Sequence, residues 1–556
     1  MKLLHSAKVY LVILSIGTLS FLSYSFAEDY FGISKNLEIF IDVYENLNKY
    51  YVDDTNPGEL MKTGIDAMLG SLDPYTNFYP ESDIEDYRFL TTGQYGGIGS
   101  LIRRYEDHIV IAEPYEGFPA QKAGLQAGDL ILAVDGKSTE GKTTQEMSKV
   151  LKGQPGTSLL LKVKRVSDGS VAEIELVRQE IKMNDVPYFG MLDEKTGYIK
   201  LNAFTETASR EVKEAFQNLK DEHQVQKLVL DLRGNGGGLL REAVSIVNLF
   251  VSRGETVVET RGRSKNWEGE HTTLNAPMDT KIPLVVLIDE GSASASEIVS
   301  GALQDLDRAV VVGQESFGKG LVQLTHNLGY NAKLKITVAK YYIPSGRCIQ
   351  RLDYSKRDAS GKVIEVPDSL ITEFTTRNGR KVYDGAGINP DREVPVPEAS
   401  NILISLVTNN LIFEYANEFQ RKHNELPAAK TYRVSNEEYD TFKQFLEGKE
   451  YNYVTSSEKS LESFEKVAKA EKYFDEVKTE FEALKGQIEA QKADDLDTYR
   501  EEITELLENE IVSRYYYQSG RVEASLSRDP DVAEALKVIN DTELSASIHE
   551  GTVAGK

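Results

Sequence analysis

The chain has 556 residues, too many for one hydrophobic core, so three or four domains are expected. Its formal net charge of −24 argues against a nucleic-acid binder, which needs Lys and Arg to meet phosphates. A single cysteine, Cys348, leaves no intramolecular disulfide framework or Cys-rich metal site, and the seven histidines are scattered without HExxH or other ligand spacing. No metal and no cofactor is expected.

Lys2 and Lys8 precede Val9–Ala27, an apolar stretch of 19 uncharged residues, and Ser25-Phe-Ala27 before Glu28 has small-x-small character. Residues 1–27 read as a cleaved secretory signal, with a retained membrane anchor as the rival, because such a length just spans a bilayer. In either case the remainder is expected to be exported, to the periplasm, with any membrane attachment confined to this segment. Scarce cysteine suits that destination.

In region 28–85, Leu37, Phe40, Ile41, Tyr44, Leu47 and Tyr51 recur at helical spacing. Asn56-Pro57 restarts a second amphipathic helix with Leu60, Met61, Ile65, Met68 and Leu69 as its apolar face. Two short helices outside any large core make a helical hairpin, expected to pack on a neighbour, a second subunit being one candidate.

From Tyr95 the texture changes to short strands and glycine turns. Gly96-Gly97-Ile98-Gly99 leads into Ser100-Leu-Ile-Arg103, followed by Pro119-Ala-Gln-Lys-Ala-Gly-Leu-Gln-Ala-Gly-Asp-Leu-Ile-Leu-Ala-Val-Asp-Gly136. A short helix near 144–152 and a strand at 158–165 complete the pattern. Residues 86–178 resemble a PDZ domain. The resemblance implies that the loop of Gly96, Gly97, Ile98 and Gly99 presents N–H groups to a peptide's terminal carboxylate, while the strand after it pairs with the peptide by β-augmentation. Side chains in that loop would block the carboxylate.

Residues 196–250 alternate strand and helix: Gly197–Leu201, a helical run to about Leu219, the buried run Lys227–Leu232, then Arg233-Gly-Asn-Gly-Gly-Gly238 and a helix to Phe250. A glycine cluster between strand and helix frees N–H groups to face a ligand. Leu239 stands where a dinucleotide fingerprint needs its third glycine. Gly313-Gln-Glu-Ser-Phe-Gly-Lys-Gly320 matches GxxxxGK, yet Gly320 lacks the hydroxyl that would hold magnesium, so a nucleotide loop is rejected.

The stretch Leu284–Ile288 reads as a buried strand that breaks at Gly291 into small residues, and a helix follows from Glu297. Ser294-Ala-Ser-Glu297 fits a helix-capping box, and most such matches are caps alone. Lys319 follows 25 residues after Ser294. A serine needs a base to take its proton, and a neutral lysine serves. At its reference pKa lysine is neutral in only about one molecule in 2,500 at pH 7, so a desolvated, uncharged surround is required. Phe317-Gly-Lys319-Gly-Leu-Val fits that need, and Gln323, if this turn is helical, holds the amine without adding charge. Oxyanion donors are sought at Ala295 N–H and in the Gly236-Gly237 cluster.

Several ordered motifs then converge: Asp231-Leu-Arg-Gly-Asn-Gly-Gly-Gly238, Gly291-Ser-Ala-Ser-Ala-Ser-Glu297, Phe317-Gly-Lys-Gly-Leu-Val-Gln323, Tyr342-Ile-Pro-Ser-Gly-Arg347, Gly387-Ile-Asn-Pro-Asp391 and, upstream, Leu72-Asp-Pro-Tyr-Thr76. With these, residues 35–392 resemble the C-terminal processing peptidases, the tail-specific Ser/Lys proteases of family S41. That resemblance implies a multidomain chain, part α/β and part β. Alongside an α-helical C-terminal extension read from spacing alone, the implied mixed α/β protease core (179–395) has crotonase-like, ClpP-related sheet layers, with an inserted PDZ domain and an N-terminal helical hairpin. It also implies Ser294 as nucleophile, Lys319 as general base, Gln323 as its partner, Ala295 and Gly237 or Gly236 as the oxyanion hole, and supporting roles for Glu297 and Asp305. The substrates implied are proteins or peptides with accessible C-termini. The rival reading is a catalytically silent PDZ scaffold on the same fold, against which the joint presence of Ser294, Lys319 and Gln323 stands.

Residues 396–556 lie beyond the resemblance. Residues 400–420 look helical, and Phe474, Val477, Phe481, Leu484 and Ile488 keep a 3.5-residue rhythm that Leu496, Tyr499, Ile503 and Leu506 resume after a phase slip. Residues 431–556 hold 16 basic and 29 acidic side chains, so about half of the chain's negative excess sits there. The expectation is an acidic helical extension, either a solvated bundle or a contact for a homodimer or adaptor.

Overall fold

The computed structural model describes residues 31–552. The signal or anchor expected at 1–27 lies outside them, and among the described residues no helix is long and apolar enough to cross a membrane. The chain divides into a small unit, running to Pro80 and including Thr325–Ile336, and a large unit of Glu81–Leu324 with Thr337 onward.

The small unit contains the helical hairpin. Residues 31–50 are helical, and Asn56 caps the second helix, Pro57–Gly70, by accepting from the N–H groups of Gly58 and Glu59. Asn caps well because its carbonyl reaches donors that have no partner inside the helix. Tyr44 Oη donates to Pro57 O at 2.8 Å, tying the two helices. Strand Asn77–Tyr79 pairs antiparallel with Lys333–Lys335. Leu37, Phe40, Ile41 and Leu47 stay between 43 and 57% exposed.

In the large unit the antiparallel sheet of the PDZ-like region runs in the order Ser100–Tyr105, His108–Pro114, Leu130–Val134, Ser158–Lys164, Val171–Val177. Ile109, Ile111, Ile131, Leu161 and Val163 are fully buried inside it. Helix Thr144–Leu151 is closed by a capping box between Thr143 and Glu146. Ser100–Tyr105 is an edge strand of the sheet, the position β-augmentation requires.

The central layer is a six-stranded sheet ordered Tyr188–Met191, Thr196–Lys200, Lys227–Asp231, Leu284–Ile288, Val310–Gly313, Arg392–Glu393. Its first pair is antiparallel and the rest are parallel. Helices Ala208–His223, Leu240–Phe250 and Ala295–Asp305 cover one face through Val212, Phe216, Ile246, Phe250, Ile298 and Val299. The other face is covered from far along the chain. Val532, Ala535, Val538, Ile539 and Ile548 of helices Pro530–Asn540 and Thr542–His549 pack on Tyr198, Val229, Val285, Leu287, Val310 and Val312. A parallel sheet covered on both faces explains the unbroken apolar run Leu284–Ile288, every residue of which is buried.

The C-terminal extension is therefore not a bundle that stands clear of the six-stranded sheet, because its last helices form a layer of the core. Most of its other helices share a second core in which Tyr415, Tyr439, Phe442, Ile503, Leu507 and Ile511 are buried. The helix expected over 400–420 is two, Asn401–Thr408 and Leu411–Lys422, broken where Asn410 takes φ 62°. The phase slip near Leu496 is a real break between Phe474–Ala493 and Arg500–Ser525. Helices Ser456–Ala470 and Phe474–Ala493 share a small cluster of Ala468, Phe474 and Phe481.

Candidate active site

Strand Leu284–Ile288 delivers the chain through a turn of small residues onto helix Ala295–Asp305, and Ser294 stands at the junction. Its backbone holds φ 57° and ψ −109°, a region that costs a non-glycine residue about 1–3 kcal/mol. Sharp strand-to-helix turns of this kind project a nucleophile at a sheet edge. The surrounding bonds hold the strained turn. Asp289 Oδ1 accepts from Gly234 N at 2.7 Å and Gly291 N at 3.0 Å, while Ser292 Oγ donates to Leu232 O at 2.9 Å.

Glu297, expected only as a supporting residue, is the hub of the site. Its Oε2 accepts from Ser294 N at 2.7 Å and Lys319 N at 3.0 Å. Its Oε1 accepts from Ser316 Oγ at 2.6 Å and Gly318 N at 2.7 Å. Burial pushes the Glu297 carboxyl up to about 7, against the pull of these four donors. The surround of Lys319 is thus not free of acids as its sequence neighbours imply: a buried carboxyl bonds its backbone N–H, and Phe317 is 43% exposed. Tyr341 completes the clamp, donating from its hydroxyl to Ser294 O at 3.2 Å and Lys319 O at 2.6 Å.

Gln323 lies on strand Leu321–Asn327, not on a helical turn. Its Nε2 donates to Thr337 Oγ1 at 3.2 Å, which orients the amide.

Gly237, at φ 98°, lies directly against the Ser294 turn. A Cβ there would stand 2.8 Å from Ser294 Cβ, 2.9 Å from Ala295 N and 2.7 Å from Ala293 O, so only glycine fits. Its N–H, however, donates to Asn235 Oδ1 at 2.9 Å, whereas a Cβ on Gly236 would meet nothing. Asn235 is fully buried and binds the two loops together: its carbonyl accepts from Ala293 N at 3.0 Å and Ser296 Oγ at 2.8 Å. Its place inside a glycine cluster was the only sequence signal for it, and Tyr341 had none.

Asp305 stands apart from this cluster, at the far end of helix Ala295–Asp305. It meets Arg347 at 2.9 Å, both side chains fully buried, and Oδ2 accepts from Ser345 N at 2.9 Å. Gln304 bonds Arg347 on one side and Asp391 on the other. The motifs ending in Arg347 and Asp391 are thus helix anchors. Cys348 is a free, partly buried thiol whose pKa burial raises, which leaves it a poor nucleophile.

The expected carboxylate loop of the PDZ-like region is shorter than its glycines imply. Gly96 and Gly97 belong to strand Gln94–Gly97, paired with Gln179–Lys182, and Gly96 N donates to Glu85 Oε2 at 3.0 Å. A Cβ on Gly96 would stand 2.0 Å from Gly153 O, so close backbone packing requires this glycine rather than an incoming carboxylate. Ile98 and Gly99 make the step into the edge strand, with Ile98 buried. Among the described residues no group of three or more His, Cys, Asp or Glu could hold a metal ion.

Peptidase family S41 matches residues 195–355, a PDZ domain residues 110–165, and the family described as "Probable PDZ-protease, C-terminal helical domain" residues 402–539. The chain is 38% identical over 319 residues to a carboxy-terminal-processing protease of Bartonella bacilliformis, covering 57% of this chain and 73% of that protein. It is 36% identical over 316 residues to a probable CtpA-like serine protease of Staphylococcus aureus, covering 56% and 62%. A solved photosystem II D1 C-terminal processing protease aligns at 26% identity and a TM-score of 0.35, covering 64% of this chain and 92% of that one. The chain belongs to peptidase family S41 and is a serine-type peptidase of the carboxy-terminal-processing kind, with a PDZ domain and a C-terminal helical domain.

Proposed function

We propose that this peptidase captures protein C-termini on its PDZ domain and cleaves the chain upstream by a Ser/Lys acyl-enzyme mechanism. The observation that carries the proposal is the Glu297 carboxyl, which bonds the backbones of Ser294 and Lys319 through one oxygen. In the proposed reaction Ser294 Oγ attacks the scissile carbonyl carbon and its proton passes to the neutral Lys319 amine. The tetrahedral oxyanion is met by Ala295 N–H and by Gly236 N–H, or by Gly237 N–H once released from Asn235. Collapse expels the amine product, which takes the proton from Lys319, and water then releases the acyl group by the same path. Gln323, oriented by Thr337, holds the lysine amine without adding charge.

The free edge of Ser100–Tyr105 supports C-terminus capture. Residues 9–27 carry export to the periplasm in this reading, as a cleaved signal or a retained anchor, which N-terminal sequencing of the mature protein distinguishes. The test of catalysis is cleavage of an unfolded protein substrate by the wild type, Ser294→Ala and Lys319→Ala. Loss of activity in both variants is expected, with no effect of EDTA. Equal cleavage by all three would sink the Ser/Lys mechanism, and an inert wild type would favour a PDZ scaffold.

A further inference from the structure

Arg233 opens the glycine loop that reaches Gly237, and its side chain sits in a cage built from both ends of the protease. Asp231, 1% exposed at its side chain, accepts from Arg233 Nη2 at 2.6 Å and from Nε at 3.1 Å. Lys200 Nζ donates to Arg233 O at 2.6 Å and lies 3.2 Å from Asp231 Oδ1. Tyr198 Oη donates to Asp231 Oδ2 at 2.6 Å. The remaining guanidinium bonds go to the C-terminal helical domain: Nη1 to Asp529 Oδ1 at 2.9 Å and Asp531 Oδ2 at 2.7 Å, and Nη2 to Asp529 Oδ2 at 2.7 Å. Asp529 and Asp531 are only 14% and 8% exposed. Asp531 Oδ1 also accepts from Gln314 Nε2 at 3.0 Å, next to the strand that ends at Gly313.

We propose that Asp529 and Asp531 are positioning residues for the peptidase reaction, acting through Arg233 on the loop that carries Gly236 and Gly237. The cage balances two cations, Lys200 and Arg233, with three carboxylates, and two of those three arrive from the helical domain. A buried guanidinium with only Asp231 left would keep three of its N–H groups without partners, and it would move to find them. The loop has little tolerance for that motion. Gly237 stands against Ser294, and Asn235 bonds Ala293 and Ser296 directly. The helical domain thereby sets the geometry on which the oxyanion donors depend, so it belongs to the working enzyme and not merely to its periphery.

The inference rests on the Ser294 reading above, and one experiment separates the two. The full chain is assayed as wild type, Ser294→Ala, Asp529→Asn, Asp531→Asn, the double Asn variant, Asp531→Glu and Glu534→Gln. Asparagine at 529 keeps the acceptor that caps helix Pro530–Asn540 through Asp531 N and Val532 N while removing the charge. Glu534→Gln is the control, because it breaks another ion pair of the same helix, to Arg392, and does not touch Arg233. A misplacement of about 1 Å at a reacting centre costs on the order of a hundredfold. We expect kcat of the double variant to fall about ten- to a hundredfold with KM within about twofold, and peptidyl-boronate affinity to fall in parallel. Asp531→Glu should recover part of the loss, and Glu534→Gln should keep wild-type kcat. Circular dichroism at the assay temperature checks that each variant is folded. Wild-type kcat in the folded double variant, or an equal loss in Glu534→Gln, overturns the inference while an inactive Ser294→Ala preserves the mechanism. Full activity in Ser294→Ala overturns both.

Discussion

Ser294 and Lys319 share one acceptor, Glu297 Oε2, which takes the backbone N–H of each at 2.7 and 3.0 Å. The two residues proposed to exchange a proton are therefore held in register through their main chains, leaving their side chains to the chemistry. A capping glutamate would ordinarily serve one helix end. Here the same carboxyl also fixes a loop from elsewhere in the chain.

Glu297→Gln should expose this double duty. Glutamine offers one acceptor oxygen and one NH2 where four donors converge, so at least one backbone N–H loses its partner. An unsatisfied buried donor costs about 1–3 kcal/mol, and about 1.4 kcal/mol is tenfold in rate. We expect kcat to fall at least tenfold, read by steady-state cleavage. An unchanged kcat would show that the shared acceptor is dispensable.

The same carboxyl gives stability a pH dependence of definite sign. Burial raises it from 4.5 to about 7 in the folded protein. The folded state therefore binds this proton more tightly than the unfolded chain. Its contribution is fully present below about pH 4.5 and is lost as pH rises through about 7, amounting to about 3 kcal/mol in all. Denaturation of wild type and Glu297→Gln at pH 5 and pH 8 should show the stability gap narrowing at the higher pH. A constant gap would falsify the assignment.

Tyr341→Phe tests the second clamp. The ring is 1% exposed and stays packed, so the change removes only the hydroxyl that donates to Ser294 O and Lys319 O. A lost hydrogen bond of this kind costs about 0.5–1.5 kcal/mol in stability. We expect that modest loss beside a larger drop in kcat than in kcat-independent substrate binding. Equal binding and turnover to wild type would make Tyr341 a packing residue alone.

Asp305→Ala acts through folding. It strips Arg347 of its buried partner, and breaking such a pair costs about 3–5 kcal/mol. The expected result is an early unfolding transition of the six-stranded sheet and its helices, seen by thermal melting, with activity lost in proportion to folded protein. Wild-type melting with lost activity would instead place Asp305 in the chemistry.

Truncation at residue 395 separates the two views of the extension. It would uncover Tyr198, Val229, Val285, Leu287, Val310 and Val312 on one face of the sheet. An insoluble or molten product is expected. A soluble truncation that cleaves normally would show that the helical domain is neither cover nor brace.

Much of the site was legible in the sequence because its parts are local. Strand, small-residue turn and helix around Ser294 are written in one stretch, as are the glycine cluster after Asp231 and the turn at Lys319. Their order along the chain carried the family resemblance. Local pattern also misled where it had two solutions: Gln323 lies on a strand that begins only after Lys319, not on a helical turn with it, and Gly96 answers to a neighbouring carbonyl, not to a ligand.

What composition and spacing offered alone was a candidate chemistry: a serine and a lysine in ordered motifs, with the seven histidines scattered and one cysteine, downstream of a PDZ pattern. Tertiary structure decided which groups hold that chemistry in place. Glu297 bridges to Lys319, Tyr341 reaches Ser294, Asn235 fills the bond of Gly237, and Asp529 and Asp531 close on Arg233. The reason is physical. Hydrogen bonds and buried ion pairs join groups 22, 47 and nearly 300 residues apart, and only the folded packing sets which donors and acceptors meet.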